Sequence, residues 1–245
     1  MRAVLAHDFR WRASPAALPE RMDAEADYET FRDTVASLTS VNRMTMGYRP
    51  LRWFLHRYTN EWNFPVPLRI LDVGSGYGDG TRAAADYLDR WGHGGRVVGV
   101  DRNPHAARAA GEIDTSYDET ELSYVTADVF EHAEEALPYD LIVSALFTHH
   151  LEDAEVVRFL RWMEDTAQDG WLVNDLYRSK VAAIGFGLLA RLLRRHSHVQ
   201  HDGPVSFARS FRRRDWQRLL AEAGVEGAEL RMLAPFRLCV VRDKR

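Results

Sequence analysis

Cysteine is nearly absent: Cys239 is the only one in 245 residues. That excludes an internal disulfide, a cysteine-rich zinc site and a CxxC redox pair, and it fits a reducing compartment such as the cytoplasm. Lysine is almost as scarce, with only Lys180 and Lys244 against thirty arginines. The formal charge is nonetheless −4, so the arginine excess does not by itself signal a polyanionic partner. Long apolar runs are missing as well. The longest, VAAIGFGLLA at 181–190, is about half a membrane span, and the opening MRAVLAHDFRWR has only four apolar residues in a row before His7 and Asp8. Neither an integral membrane segment nor a signal peptide is expected. Disorder throughout is excluded by 46% hydrophobic and 28% charged residues, and the length allows one cored domain plus an extension.

What is present is unevenly distributed. From 109 to 157 there are thirteen acids and no lysine or arginine; from 178 to 218 there are ten bases and two acids. The second stretch could face an anion. Residues 1–22, with Pro15 and Pro19, read as a loose leader. Tyr28, Phe31, Val35 and Leu38, then Leu51, Phe54, Leu55, Tyr58 and Trp62, recur at helical spacing, with Gly47 and Pro50 interrupting between them. Pro65 and Pro67 form a short rigid linker. Beyond residue 67 the texture alternates. LRILDV, RVVGV, LSYVTA, YDLIVSAL and GWLVNDL read as strands, while TRAAADYLDRW (face Ala84, Tyr87, Leu88, Trp91) and AEVVRFLRWMEDTA read as helices. Near-continuous apolar strands alternating with helices predict a parallel α/β sheet covered on both faces. A helix carrying Trp216, Leu219, Leu220 and Ala223, then strands near 225–233 and 236–242, end it with a hairpin.

The most informative segment is ILDVGSGYGDG (70–80), where a strand gives way to a glycine-rich turn and a helix. Such a turn brings backbone close to a ligand and aims helix N-terminal amides at it. The dinucleotide fingerprint requires Gly-x-Gly-x-x-Gly, but Asp79 stands where the third glycine belongs. The spacing is instead acid-x-Gly-x-Gly-x-Gly, with Asp72 followed by Gly74, Ser75, Gly76 and Gly78. Here the chain resembles the class I S-adenosylmethionine (SAM)-dependent methyltransferases, over about 68–242. The resemblance implies a Rossmann-like doubly wound, mostly parallel seven-stranded sheet with a C-terminal β-hairpin and an N-terminal helical extension. It implies that Asp101, with Arg102 beside it, holds the ribose hydroxyls and that Asp128 and Val129 meet the adenine. Ser144 lies in the strand motif running past the methionine part into the acceptor pocket. Independently of the family, a cationic ligand carrying hydroxyls and an amine suits carboxylate acceptors, and a phosphate would be repelled by Asp72 and Asp79.

The acceptor is narrowed by what the fourth strand lacks. It ends in SALF, not the Asn/Asp-Pro-Pro-Tyr/Phe that grips amide nitrogens, and no cysteine lies nearby for covalent attack on pyrimidines. Metal-assisted catechol chemistry would want an acid where Ser144 stands, so no metal is expected. His149 and His150 remain: one is a base for an acidic hydroxyl, or the pair caps the strand. Asn174, Asp175, Tyr177 and Arg178 leave the fifth strand on the carboxyl edge, where such sheets bind ligands. Arg43 and Tyr48 either reach the SAM carboxylate or the acceptor, or serve packing.

The texture of LTSVNRMTMGYRPLRWFL, LVNDLYRS and VQHDGPVSFARSF resembles a ubiquinone-methylase-like subgroup encoded near polyketide synthases. The expected organisation is a leader and helical lid over 1–66 and a SAM domain over 67–245 with a lid insertion at about 178–210. The insertion's apolar segment, with Ile184, Phe186 and Leu188, is a pocket lid, a homodimer face or a membrane-surface helix. The expected activity is O-methylation of a small aromatic or polyketide-like acceptor. Carbon methylation of a phenolic ring, an RNA-directed role through 178–218 and an NAD(P)-linked oxidoreductase are the rivals.

Overall fold

A computed structural model describes residues 4, 6–24, 26–61, 67–131 and 138–245. Trp62 and Pro65 lie outside these residues. Seven strands, β1 (Leu68–Val73), β2 (Gly95–Asp101), β3 (Thr120–Thr126), β4 (Tyr139–Ala145), β5 (Ala167–Leu176), β6 (Glu229–Leu233) and β7 (Arg237–Asp243), form one sheet in the order β3-β2-β1-β4-β5-β7-β6. The first five are parallel, and β7 runs antiparallel between β5 and β6. The helices are α1 (Tyr28–Met44), α2 (Arg49–Glu61), α3 (Asp79–Arg90), α4 (Ala106–Gly111), α5 (Asp153–Thr166), α6 (Lys180–Leu192), α7 (Ser197–Arg209) and α8 (Arg213–Ala223).

Strand side chains alternate between two cores. Leu71, Val73, Ile142 and Trp171 pack with Phe159, Leu160 and Met163 of α5 and with Trp216 and Leu219 of α8. Ile70, Leu141, Val143 and Leu172 pack instead with Phe54, Leu55 and Tyr58 of α2 and Ala84 and Leu88 of α3. The central strands β1, β4 and β5 are apolar on both faces for this reason, and the sheet is doubly wound. Its order reverses between β1 and β4, so the segments that follow these two strands lead to opposite sides and leave a crevice at their carboxyl ends.

Several expectations need correcting. The leader is docked: Val4, Phe9 and Ala13 are buried against Ala182 and Ala183 of α6 and Val205, Phe207 and Ala208 of α7. Pro50 lies in the first turn of α2, where a missing amide N–H breaks no helical bond. Trp91 lies just past the end of α3 and is exposed. The Asp202-Gly203-Pro204 run lies inside α7, although glycine and proline are the weakest helix formers. Of the proposed lid residues, only Phe186 turns inward, toward Phe207, whereas Ile184 and Leu188 are exposed.

Candidate active site

The glycine-rich turn folds as its spacing requires. Gly74, Gly76 and Gly78 have φ of 71°, 52° and 70°, a region that side chains resist. A Cβ on Gly74 would lie 2.7 Å from Phe147, while one on Gly76 would meet nothing within 4 Å. The Gly76 amide donates to Asp101 Oδ2 at 2.9 Å and the Asn103 amide to Oδ1 at 2.8 Å, which fixes the carboxylate under the loop. Burial pushes the Asp101 carboxyl above its ordinary value. Asp72 is buried behind the loop and accepts the Thr81 hydroxyl at 2.7 Å. Burial, reinforced by the negative charges of Asp79 and Asp101 against that hydrogen bond, pushes the Asp72 carboxyl up to about 7. Ser75 packs close to Gly99 beneath the turn.

Other expected cofactor contacts are placed less directly. Asp128 is exposed and accepts the Phe130 amide at 2.9 Å, and Val129 joins the core. Arg102 is exposed, as is Arg43 in the last turn of α1. The Ser144 hydroxyl donates to the Val73 carbonyl at 3.0 Å, so its proton is turned into the sheet. The Tyr48 hydroxyl donates to Asp79, at the start of α3. Beside it lies a group that the sequence did not single out. Arg237, at the start of β7, is 3% exposed; Nη2 donates to Asn42 Oδ1 at 3.2 Å and Nη1 has no hydrogen-bond partner.

At the carboxyl end of β4 a short turn, Thr148–His150, presents both histidines. His149 Nδ1 lies 2.8 Å from Asp175 Oδ1, and Asp175 Oδ2 accepts the Thr148 hydroxyl at 2.5 Å and the His149 amide at 3.0 Å. Burial alone would raise the Asp175 carboxyl, but His149 and these donors hold it well below the usual carboxylate range. His150 Nδ1 lies 2.9 Å from Asp23 Oδ1. The leader also brings in Glu20, buried with Oε1 3.7 Å from His149 Nε2 and Oε2 3.8 Å from His150 Nε2. From α7, Ser206 donates to Glu20 Oε1 at 2.8 Å, and Arg209 donates to Asp23 at 2.7 Å and to the His149 carbonyl at 3.0 Å. No periodicity marks Glu20, Asp23 or Arg209 as site residues; tertiary packing alone unites them with the turn.

The residues expected along β5 do not converge. Asn174 points to the opposite face from Asp175 and donates to the Gly47 carbonyl at 3.1 Å. Tyr177 packs against the core on the α5 and α8 side. Arg178 is fully buried, bonded to the carbonyls of Phe9 at 3.1 Å and Ser210 at 2.8 Å and to Asp215 at 2.8 Å. It ties the leader to the loop before α8.

The open turn at Gly76, the acids at Asp72 and Asp101 and the partnerless Nη1 of Arg237 fit a ligand that combines a cation, vicinal hydroxyls and a carboxylate, as SAM does. Among curated proteins no sequence matches the chain. Among solved structures the fold is similar to the plantazolicin methyltransferase BpumL in complex with a pentazolic desmethylPZN analog and SAH, at 14% identity over 88% of this chain and 94% of that one, TM-score 0.59. It is also similar to magnesium protoporphyrin IX methyltransferase from Synechocystis PCC 6803 with bound SAH, at 14% identity over 90% of each chain, TM-score 0.50. Human N-acetylserotonin methyltransferase in complex with SAM matches at 17% identity over 87% of this chain but only 55% of its own length, TM-score 0.54. The family defined by the methyltransferase domain matches residues 46–230. Glycine-loop geometry, strand order and family match therefore agree: the chain belongs to the methyltransferase-domain family and is a class I SAM-dependent methyltransferase.

Proposed function

We propose that the chain methylates a hydroxyl oxygen of a small aromatic or polyketide-like acceptor, as a cytoplasmic enzyme of the ubiquinone-methylase-like subgroup. The observation that carries this reading is the buried Asp175–His149 pair at the carboxyl end of β4 and β5, across the crevice from the glycine-rich turn. SAM supplies an electrophilic methyl on a positively charged sulfur, open to an in-line nucleophile. The protein's part is to orient, exclude water and take up a proton. Asp101 receives the ribose hydroxyls, and Asp128 the adenine amine. Arg237 meets the methionine carboxylate more directly than the exposed Arg43 does, because its free Nη1 is already desolvated. Tyr48 holds Asp79 at the edge of the turn. Asp175 fixes the His149 ring with Nδ1 as donor, which leaves Nε2, on the side of the buried Glu20, to take the acceptor's proton.

The leader, α1, α2 and the insertion at 178–210 close the acceptor side, supported by Glu20, Asp23 and Arg209 meeting over the histidine turn. The exposed apolar positions of α6 (Val181, Leu188 and Leu192) suit contact with a second copy. No helix among the described residues is long and apolar enough to cross a membrane. The similar proteins, methyltransferases of magnesium protoporphyrin IX, plantazolicin and N-acetylserotonin, are consistent with an acceptor outside nucleic acid.

The test is incubation with methyl-labelled SAM and a panel of phenols and polyketide extracts, with the position of the label read by mass spectrometry and NMR. Label on oxygen is expected; label on carbon, nitrogen or sulfur overturns the assignment. Asp175→Asn should lower turnover by about 10²-fold with SAM affinity unchanged. Unchanged turnover would remove the pair from the chemistry.

A further inference from the structure

We propose that Glu20, His149 and His150 form a binding site for a divalent first-row transition metal of the zinc class. One ligand atom from each of the three residues lies within 4.8 Å of the others. The separations from Glu20 to the two Nε2 atoms, 3.7 Å and 3.8 Å, are too long for hydrogen bonds. They are close to what an ion requires: ligands bonded at about 2.1 Å in a tetrahedral shell stand about 3.4 Å apart. The two separations end on different oxygens of the Glu20 carboxylate, Oε1 and Oε2, so the three residues would draw together around an ion.

The groups behind the ligands favour the same occupant. His149 Nδ1 is held by Asp175 at 2.8 Å and His150 Nδ1 by Asp23 at 2.9 Å. A carboxylate on the far nitrogen is the usual support of a metal-bound imidazole, fixing its tautomer and strengthening its donor. Both rings then present Nε2 toward Glu20. Three carboxylates, Glu20, Asp23 and Asp175, surround the cluster; Arg209 lies 3.5 Å from Glu20 and 2.7 Å from Asp23, while Arg12 reaches only the carbonyl side of the turn. Two imidazoles with one carboxylate select zinc, cobalt, nickel or iron over magnesium or calcium, which take all-oxygen shells. Three protein ligands leave a fourth position for water or an acceptor hydroxyl, whose proton the ion would loosen in place of His149 Nε2, which is then a ligand and not a base. That last role rests on the methyltransferase reading above; the binding of the ion does not.

The whole chain, freed of metal by a chelator, is titrated with Co²⁺ and followed by visible absorption. One equivalent should produce the d–d bands of a low-coordinate site, and Zn²⁺ should abolish them. Glu20→Gln and His150→Gln, checked for folding by circular dichroism, should weaken Co²⁺ binding by about tenfold or more, and Asp23→Asn by about tenfold through the supporting carboxylate. Absence of bands from the folded wild-type chain at millimolar Co²⁺ would overturn the proposal, and so would binding unaltered in Glu20→Gln and His150→Gln. Methyl transfer that proceeds in chelator while Co²⁺ fails to bind would sink the metal site and leave the proposed function standing.

Discussion

At the scale of single residues, the buried groups Asp72 and Arg237 each give a measurable consequence. The Asp72 carboxyl in the folded chain, pushed up to about 7 by burial, still holds its proton at pH values where the unfolded chain has released it. Its contribution to stability is therefore fully present below about pH 4 and is lost as pH rises through about 7. Asp72→Asn lacks this loss. In urea unfolding of the ligand-free protein, the stability of Asp72→Asn relative to wild type should rise between pH 5 and pH 8; the difference cancels other groups that titrate in the range. A pH-independent difference would show that Asp72 is ionised throughout. Arg237 is buried with Nη1 unpaired. An unpaired buried cation destabilises the free protein, so Arg237→Gln should be neutral or stabilising in thermal unfolding. It should nonetheless weaken binding of the demethylated product of SAM by about tenfold or more, while leaving methylthioadenosine, which has no carboxylate, unaffected. Equal loss for both ligands in calorimetry would argue against a carboxylate contact.

At the scale of elements, the pairing of α6 with α7 includes one close approach between Gly203 and Phe186. A Cβ on Gly203 would stand 1.9 Å from Phe186 Cε1, far inside van der Waals contact. Gly203→Ala should therefore cost about 2 kcal/mol, and in a Phe186→Ala background the same change should cost less than about 1 kcal/mol, because alanine is the better helix former once the ring is gone. A double-mutant cycle by urea unfolding checks this, and additivity would refute the contact. The same helix pair shows where sequence legibility stops. β1 to β5 are readable because strands buried on both faces leave an apolar run that little else produces, and Asp72 and Asp101 are readable because glycine spacing and strand ends mark their places. Gly203–Pro204 signals a break from local preference, yet the chain stays helical because α7 is held by α6 on one side and by Asp202, whose carboxylate accepts the Arg21 and Met22 amides at 2.9 and 3.1 Å, on the other. Glu20 and Arg209 are invisible to motif reading for a related reason. Their partners lie far away along the chain, and nothing in the neighbouring residues encodes that encounter.

At the scale of the molecule, the basic stretch from 178 to 218 looks from its sequence like a surface for an anion, and the fold redistributes much of it. Arg178 is buried on Asp215, Arg209 on Asp23 and Glu20, and Arg218 contacts Asp153 and Glu222. Arg195 donates to the Ser40 hydroxyl of α1 at 2.8 Å. Arg191 and Arg194, by contrast, are exposed close to Leu188 and Leu192, which are also exposed. A nucleic-acid interface needs several cations held along one backbone track, since each phosphate neutralised adds to both affinity and its dependence on salt. Paired, buried guanidinium groups cannot supply that, and a net charge of −4 gives no long-range attraction. Fluorescence anisotropy with a single-stranded RNA at low salt should accordingly show no saturable binding at micromolar protein, and a plot against salt should be flat. Micromolar binding that falls steeply between about 50 and 200 mM salt would instead show that the exposed bases act together, and would return RNA to the list of acceptors.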